Sequence, residues 1–309
     1  MLSRVADNLY WFGRYHQRAE NTARLINVHA TLLLDLPRHL TVGWLPLLEI
    51  TGCDAAFKAT GMAPTEDNVV RFLIADERNS GAIFSSLNFA REIGRVSRDC
   101  IPREAWERLN DLYHFVQEHG ERSISRGRRQ DFLQGVINRA VLLVGVLTGN
   151  MSRDVGFQFL RIGTNIEQAD MTTRILDVRS SGLIRADSTL TPFDNIQWMS
   201  VLKSLTAYQM YRRHVRARVN GANVLRFLLQ DRQFPRSVTF CFGLIDSALQ
   251  LLPPSRKVER SLERMRALVQ DANITALLAK PDGLALFMDE IQVGLGVLDD
   301  ALAEAYFRN

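Results

Sequence analysis

The side chains best suited to chemistry lie close to the N-terminus. Arg14, Arg18 and Asn21 stand four and three positions apart, so on a helix they share one strip, with Glu20 and Arg24 on the strip beside it. Arg91, Arg95 and Arg98 repeat the four-and-three spacing and share a face of their own. Guanidinium groups grip carboxylate or phosphate in a fork, so these two sets together suit an anionic ligand. The blander reading, which the residues favour, is a structural network of ion pairs between helices. Later in the chain Glu167, Asp170 and Arg174 offer two carboxylates and a cation on one helical stretch. Glu20, Glu167 and Asp170 are the carboxylates that an acid or base role would use.

Other chemistries find less support. The histidines, His16, His29, His39, His114, His119 and His214, show neither H-x-x-x-H nor Glu-x-x-His spacing, so no metal site is expected. Cys100 precedes Ile-Pro at a helix start, where the dipole favours a thiolate, yet no base lies within reach and a buried, inert thiol is expected. The glycine-containing stretch from Gly120 to Gly127 lacks a Walker lysine, which removes the phosphate loop. Arg122, Arg126, Arg128 and Arg129 read as a solvated loop with no interleaved aromatic platform for bases. No cofactor is expected.

The elements that must position these residues are helices. From Val5 to Leu36, Leu9, Phe12, Ala19, Ala23 and Ile26 recur at three- and four-residue steps, and Pro37 marks the end. Further helices are expected over 68–76, 82–96, 101–120, 132–147, 155–178, 196–215, 224–229, 237–252, 257–269 and 284–306. Ser180 to Asn195, rich in Ser, Asp, Thr and Pro, is expected as an exposed loop, and Pro253-Pro254 as a firm break. Alternating strand patterns are absent, so the fold class is all-α.

The chain also repeats itself. At an offset of 150 residues Gly13 meets Gly163, Ala19 meets Ala169, Glu20 meets Asp170, Arg24 meets Arg174 and Val28 meets Val178. RFLIAD at Arg71 returns as RFLLQD at Arg226, at an offset of 155. The expected architecture is a multi-helix bundle formed by two degenerate helical repeats, 1–150 and 151–309, packed as one compact unit. An exposed i,i+4 pair such as Glu20 with Arg24 adds only about 0.2–0.5 kcal/mol, which favours burial or a ligand as the reason for the repeated pattern. Gly13 and Ala19, with Gly163 and Ala169, are small enough for the two repeat helices to pack against each other about a pseudo-two-fold axis.

Bulk properties bound the remaining classes. The formal charge of +4, from 38 basic and 34 acidic residues, is small for a dedicated nucleic-acid binder. Only four of the cations are lysines, Lys58, Lys203, Lys257 and Lys280. Three unclustered cysteines suit a reducing compartment, and no uncharged apolar run reaches the roughly 18 residues that span a bilayer. A cytoplasmic protein with no membrane span is expected.

The opening LSRVADNLYWFGRYHQRAENTARLI, with Ala90-Arg91, Arg98-Asp99, Glu104, Trp106 and Asn110, resembles the bacterial alpha-E proteins. The resemblance continues through Met151-Ser152-Arg153-Asp154, Gly163 to Leu176, Phe227-Leu228 and Pro235-Arg236-Ser237, and so covers the whole chain. It implies an α-helical domain whose partners are circularly permuted ATP-grasp proteins and transglutaminase-like proteins, in systems that form or process amide or peptide bonds. It also implies a Glu-Arg pair in each repeat, where this chain has Gln17-Arg18 and Glu167-Gln168. One arginine and one glutamate survive, and they are expected to pair with each other. The function so implied is an accessory component that binds a protein partner, an acidic metabolite or a peptide through its repeat helices. The alternatives are an enzyme of the same pathway and a purely structural scaffold.

Overall fold

The computed structural model describes residues 3–35, 43–184, 194–280 and 282–308. Among them there are helices and no strands. Their contacts divide the chain into two units, one of residues 1–27 and 42–167 and the other of residues 28–41 and 168–309.

The first unit begins with most of α1 (Ser3–Asp35) and ends with the start of α8 (Val155–Ile184). Between them run α2 (Leu45–Ile50), α3 (Asp54–Ala59), α4 (Glu66–Ile74), α5 (Ile83–Val96), α6 (Arg103–His119) and α7 (Arg126–Asn150). In α4 the Thr65 hydroxyl accepts from the Asn68 amide at 3.4 Å, an N-cap that satisfies one of the orphan donors of the first turn. Val69, Val70, Phe72, Leu73 and Ile74 then give α4 its buried face. Consecutive helices pack on one another, α4 on α5, α5 on α6 and α6 on α7.

The second unit holds the rest of α8, then α9 (Asp194–Ser204), α10 (Tyr208–His214), α11 (Gly221–Gln230), α12 (Val238–Leu249) and α13 (Arg256–Gln270). It closes with α14 (Ile274–Ala279), α15 (Gly283–Leu302) and a π-helical turn at Ala303–Phe307. Here Asn220 caps α11, its side-chain oxygen accepting from the Asn223 amide at 2.9 Å. The packing order is α11 on α12, α12 on α13 and α13 on α15.

The two helix successions run in step. Thr65 and Asn220, both N-caps, are 155 residues apart, as are the starts of α5 and α12. After each RFL segment an aspartate turns the chain: Asp76 accepts from the Arg78 amide at 3.0 Å and Asp231 from the Gln233 amide at 2.8 Å.

Several expected boundaries shift. The helix expected over 196–215 is broken into α9 and α10 at Thr206, whose φ of 53° no right-handed helix adopts. Helix α8 extends to Ile184 and α9 begins at Asp194, so both ends of the stretch expected as a loop are helical; residues 185–193, like Pro37, lie outside the described residues. Of the arginines read as a solvated loop, Arg122 lies in a 3-10 turn and Arg126, Arg128 and Arg129 instead start α7, where Arg129 is buried: it donates to Glu66 at 2.7 Å and lies over Trp44. That cluster was missed because Glu66 stands far away in the sequence.

Among the described residues, α7 is long and apolar enough to cross a membrane. A core helix meets the same test, and α7 buries Phe132, Leu133, Val136, Ile137, Ala140, Leu143 and Leu147 inside the first unit.

Candidate functional site

The site forms within the first unit, where α1 meets the start of α8. Two glycines set the approach. A Cβ on Gly13 would stand 2.3 Å from the Leu160 carbonyl oxygen, and one on Gly163 would stand 2.1 Å from that of Tyr10. Both distances are far inside van der Waals contact, so only glycine permits this crossing. The two contacts exchange under the 150-residue offset, since Tyr10 corresponds to Leu160 and Gly13 to Gly163.

Such a close approach brings Glu167 against Arg14 and Arg18. Arg18 Nε donates to Glu167 Oε1 at 2.6 Å and Arg18 Nη2 to Oε2 at 2.8 Å, a two-pronged fork. Arg14 Nε adds a third bond to Oε2 at 2.8 Å. The Glu167 side chain is only 3% exposed, with Arg14 at 12% and Arg18 at 25%. Aromatic rings back the cations, Trp11 beside Arg14 and Tyr15 beside Arg18. Burial alone would push the Glu167 carboxyl up, but the charges and hydrogen bonds of Arg18 and Arg14 outweigh it and hold the group at about 2. Burial likewise weakens the Arg18 cation, and Glu167 more than compensates.

One turn along α1, Glu20 is also buried and takes Arg24 Nε at 2.7 Å. Gln17 Nε2 donates to Asn21 at 3.0 Å and approaches Glu20 at 3.5 Å. His16, weighed in the sequence only as a metal ligand, is fully buried with Nδ1 2.8 Å from the Phe12 carbonyl. Burial lowers its pKa, although the Phe12 carbonyl, Glu20 and Glu167 all pull the other way, so the ring is held neutral. Its four-residue spacing from Glu20 was the available signal, and it points to a packed core histidine.

The other candidates have partners of their own. Arg91 donates to Asn110 at 2.8 Å and lies over the Tyr113 ring; Arg95 pairs with Glu92 at 2.9 Å; Arg98 lies over Trp106. These three dress α5 and α6. In the second unit Asp170 takes Arg174 at 2.9 Å, the counterpart of the Glu20–Arg24 pair. The structure therefore joins Arg14, Arg18 and Glu167, and separately Glu20, Asn21 and Arg24. Among the described residues no three His, Cys, Asp or Glu side chains are placed to hold a metal. Cys100 is half-buried rather than buried, and burial raises its pKa, against the thiolate a helix start would favour.

Chemically this is a closed arrangement. Both Glu167 oxygens are occupied by guanidinium donors, and a carboxyl held near 2 carries no proton to give at neutral pH.

Comparison with known proteins agrees with the helical reading. No solved structure matches the chain. Uncharacterised proteins of Mycobacterium bovis and Mycobacterium tuberculosis align with it at 24% identity over 316 residues, covering 94% of this chain and 35% of each of theirs. The chain thus spans about a third of the length of the curated relatives it matches. A family model described as a predicted alpha-helical domain with a conserved ER motif matches residues 1–307, and the chain belongs to that family, Alpha-E.

Proposed function

We propose that this chain is a non-catalytic, partner-binding helical module of a system that forms amide or peptide bonds, serving an ATP-grasp-type or transglutaminase-like protein in the cytoplasm. The observation that carries the non-catalytic part is the closure of Glu167 by Arg14 and Arg18. Glu20 and Asp170, the other carboxylates suited to acid–base work, are each occupied by an arginine one turn on. In the mycobacterial relatives the matching region is joined to about twice its own length of further sequence, which suits a module that works beside other domains.

The module is read as two helical repeats, 1–150 and 151–309, descended from one. The matching N-caps, the matching aspartate turns and the exchanging glycine contacts support this. In this reading the Glu-Arg motif is divided between the repeats, with Arg18 kept from one and Glu167 from the other.

The test is co-purification of the chain with an ATP-grasp-type protein, followed by amide-bond formation measured as ATP turnover with and without the chain. The module should co-purify and raise turnover by the partner while showing none alone. Turnover by the purified chain that disappears in Glu20→Gln or Asp170→Asn would overturn the reading in favour of an enzyme.

A further inference from the structure

The second unit carries a basic surface that the first unit does without. From 195 to 230 the chain holds Lys203, Arg212, Arg213, Arg216, Arg218 and Arg226 and no acidic residue at all. The corresponding stretch of the first unit, 40–75, holds four acids, Glu49, Asp54, Glu66 and Asp67, against two cations, Lys58 and Arg71. The architecture is shared: a short helix (α3 or α10), a connection, an N-cap (Thr65 or Asn220) and a buried amphipathic helix (α4 or α11).

The fold therefore does not require the arginines. The first unit builds the same connection from Thr60, Gly61, Met62, Ala63 and Pro64, and its two cations are paired, Lys58 with Asp54 and Arg71 with Glu121. In the second unit Arg212, Arg213, Arg216 and Arg218 are all exposed, and none makes an ion pair among the described residues. Four like charges within seven positions repel one another, a cost with no return inside the unit.

We propose that the end of α10 and the connection at 212–218 form a docking surface for an acidic polypeptide segment of a partner protein. The connection has left the helix by Val215 and bends at Ala217, between the exposed Arg216 and Arg218. Their guanidinium forks, with those of Arg212 and Arg213 at the end of α10, give a run of carboxylates several places to pair. A nucleic acid would also be drawn to the charge, but bases need stacking faces. Of the aromatic side chains nearby, Trp198, Tyr211 and Phe227 are buried and Tyr208 is half-buried, and none of them lies among the arginines of 212–218. This surface is separate from the Arg14–Arg18–Glu167 cluster and needs no ATP-grasp partner, so it stands or falls independently of the function proposed above.

The experiment is fluorescence anisotropy of a labelled glutamate-rich peptide titrated with the full chain at low ionic strength. Two variants of equal charge change are compared, Arg212→Gln/Arg216→Gln/Arg218→Gln and Arg256→Gln/Arg260→Gln/Arg264→Gln. The second set is exposed on α13, interspersed with Glu259 and Glu263. The first variant should weaken binding at least about tenfold and the second less than about twofold, and salt should weaken binding by the unmodified chain. Equal loss in both variants would mean attraction by net charge alone and overturn the proposal. So would failure of the unmodified chain to bind, or tighter binding of an oligothymidylate of the same charge.

Discussion

At the meeting of α1 and α8, Arg14 and Arg18 lie largely out of solvent with Glu167 held between them, whereas Arg212, Arg213, Arg216 and Arg218 are exposed and make no ion pair among the described residues. The first group is surrounded by devices that fix its geometry: two glycines, a ring behind each cation, and a carboxylate with both oxygens engaged. The second has no such devices, and its counterpart in the first unit folds without it. Buried charges demand complete pairing because an unpaired one costs several kcal/mol. Exposed ones cost little, so they are free to serve a partner.

The largest expected effect comes from breaking the buried side of this comparison. Glu167→Ala removes the carboxylate held by Arg14 and Arg18 and should cost about 3–5 kcal/mol, read from urea unfolding. A loss under about 1 kcal/mol would show that the cluster is solvated rather than structural.

Acid tests the same cluster without mutation. The Glu167 carboxyl lies at about 2 in the fold against an ordinary 4.5, so the unfolded chain takes up the proton first as pH falls. Its contribution is complete above 4.5 and is lost between 4.5 and about 2, on the order of 3 kcal/mol in all. His16 adds an earlier step of the same sign. Its pKa is lowered from 6.5, so the stability it lends is whole above that value and declines as pH falls below it. Unfolding midpoints followed against pH should show both steps, with His16→Gln removing the upper one and leaving the lower in place.

How much of this was legible beforehand depends on distance along the chain. The helices, the Glu20–Arg24 and Asp170–Arg174 pairs and the close approach implied by Gly13 and Gly163 follow from spacing, because i,i+4 neighbours and small stripes are local signals. The Arg18–Glu167 pair was reached only because the repeat offset and the altered Glu-Arg motif left each with one possible partner. Arg14 as the third member was not anticipated, nor was Arg129 with Glu66, since no periodicity links residues so far apart. The break at Thr206 was invisible because apolar spacing continues through it, and only the backbone shows the reversal. Arg91, Arg95 and Arg98 were expected on one face, but α5 ends at Val96, before Arg98, and spacing cannot say that Trp106 and Tyr113 rather than Glu20 stand beside Arg91 and Arg98.

The glycines offer a sharper, smaller test of the same crossing. Gly13→Ala or Gly163→Ala drives a methyl into a backbone carbonyl, which cannot turn aside, and should cost about 1–3 kcal/mol. Gly145→Ala, on the exposed face of α7 with no atom within 4 Å of a new Cβ, should instead stabilise by up to about 1 kcal/mol. Thermal melts of the three variants separate a glycine required by close approach from one that merely weakens a helix. Equal shifts would mean that the crossing relaxes and does not hold Glu167 in place.

The smallest effect is expected where the arginines are densest. Arg212→Gln/Arg216→Gln/Arg218→Gln removes three exposed cations that make no ion pair among the described residues, so each change should alter stability by no more than about 0.5 kcal/mol. Relief of mutual repulsion pushes the sum toward a gain, most clearly at low salt where screening is weak. Unfolding in urea at two salt concentrations measures this directly. A loss of about 2 kcal/mol or more would place these arginines with Arg14 and Arg18 as parts of the fold, and the contrast between the two regions would vanish. Unchanged or raised stability, alongside the severe loss in Glu167→Ala, would show one chain using arginine to close its interior in one region and to meet other molecules in another.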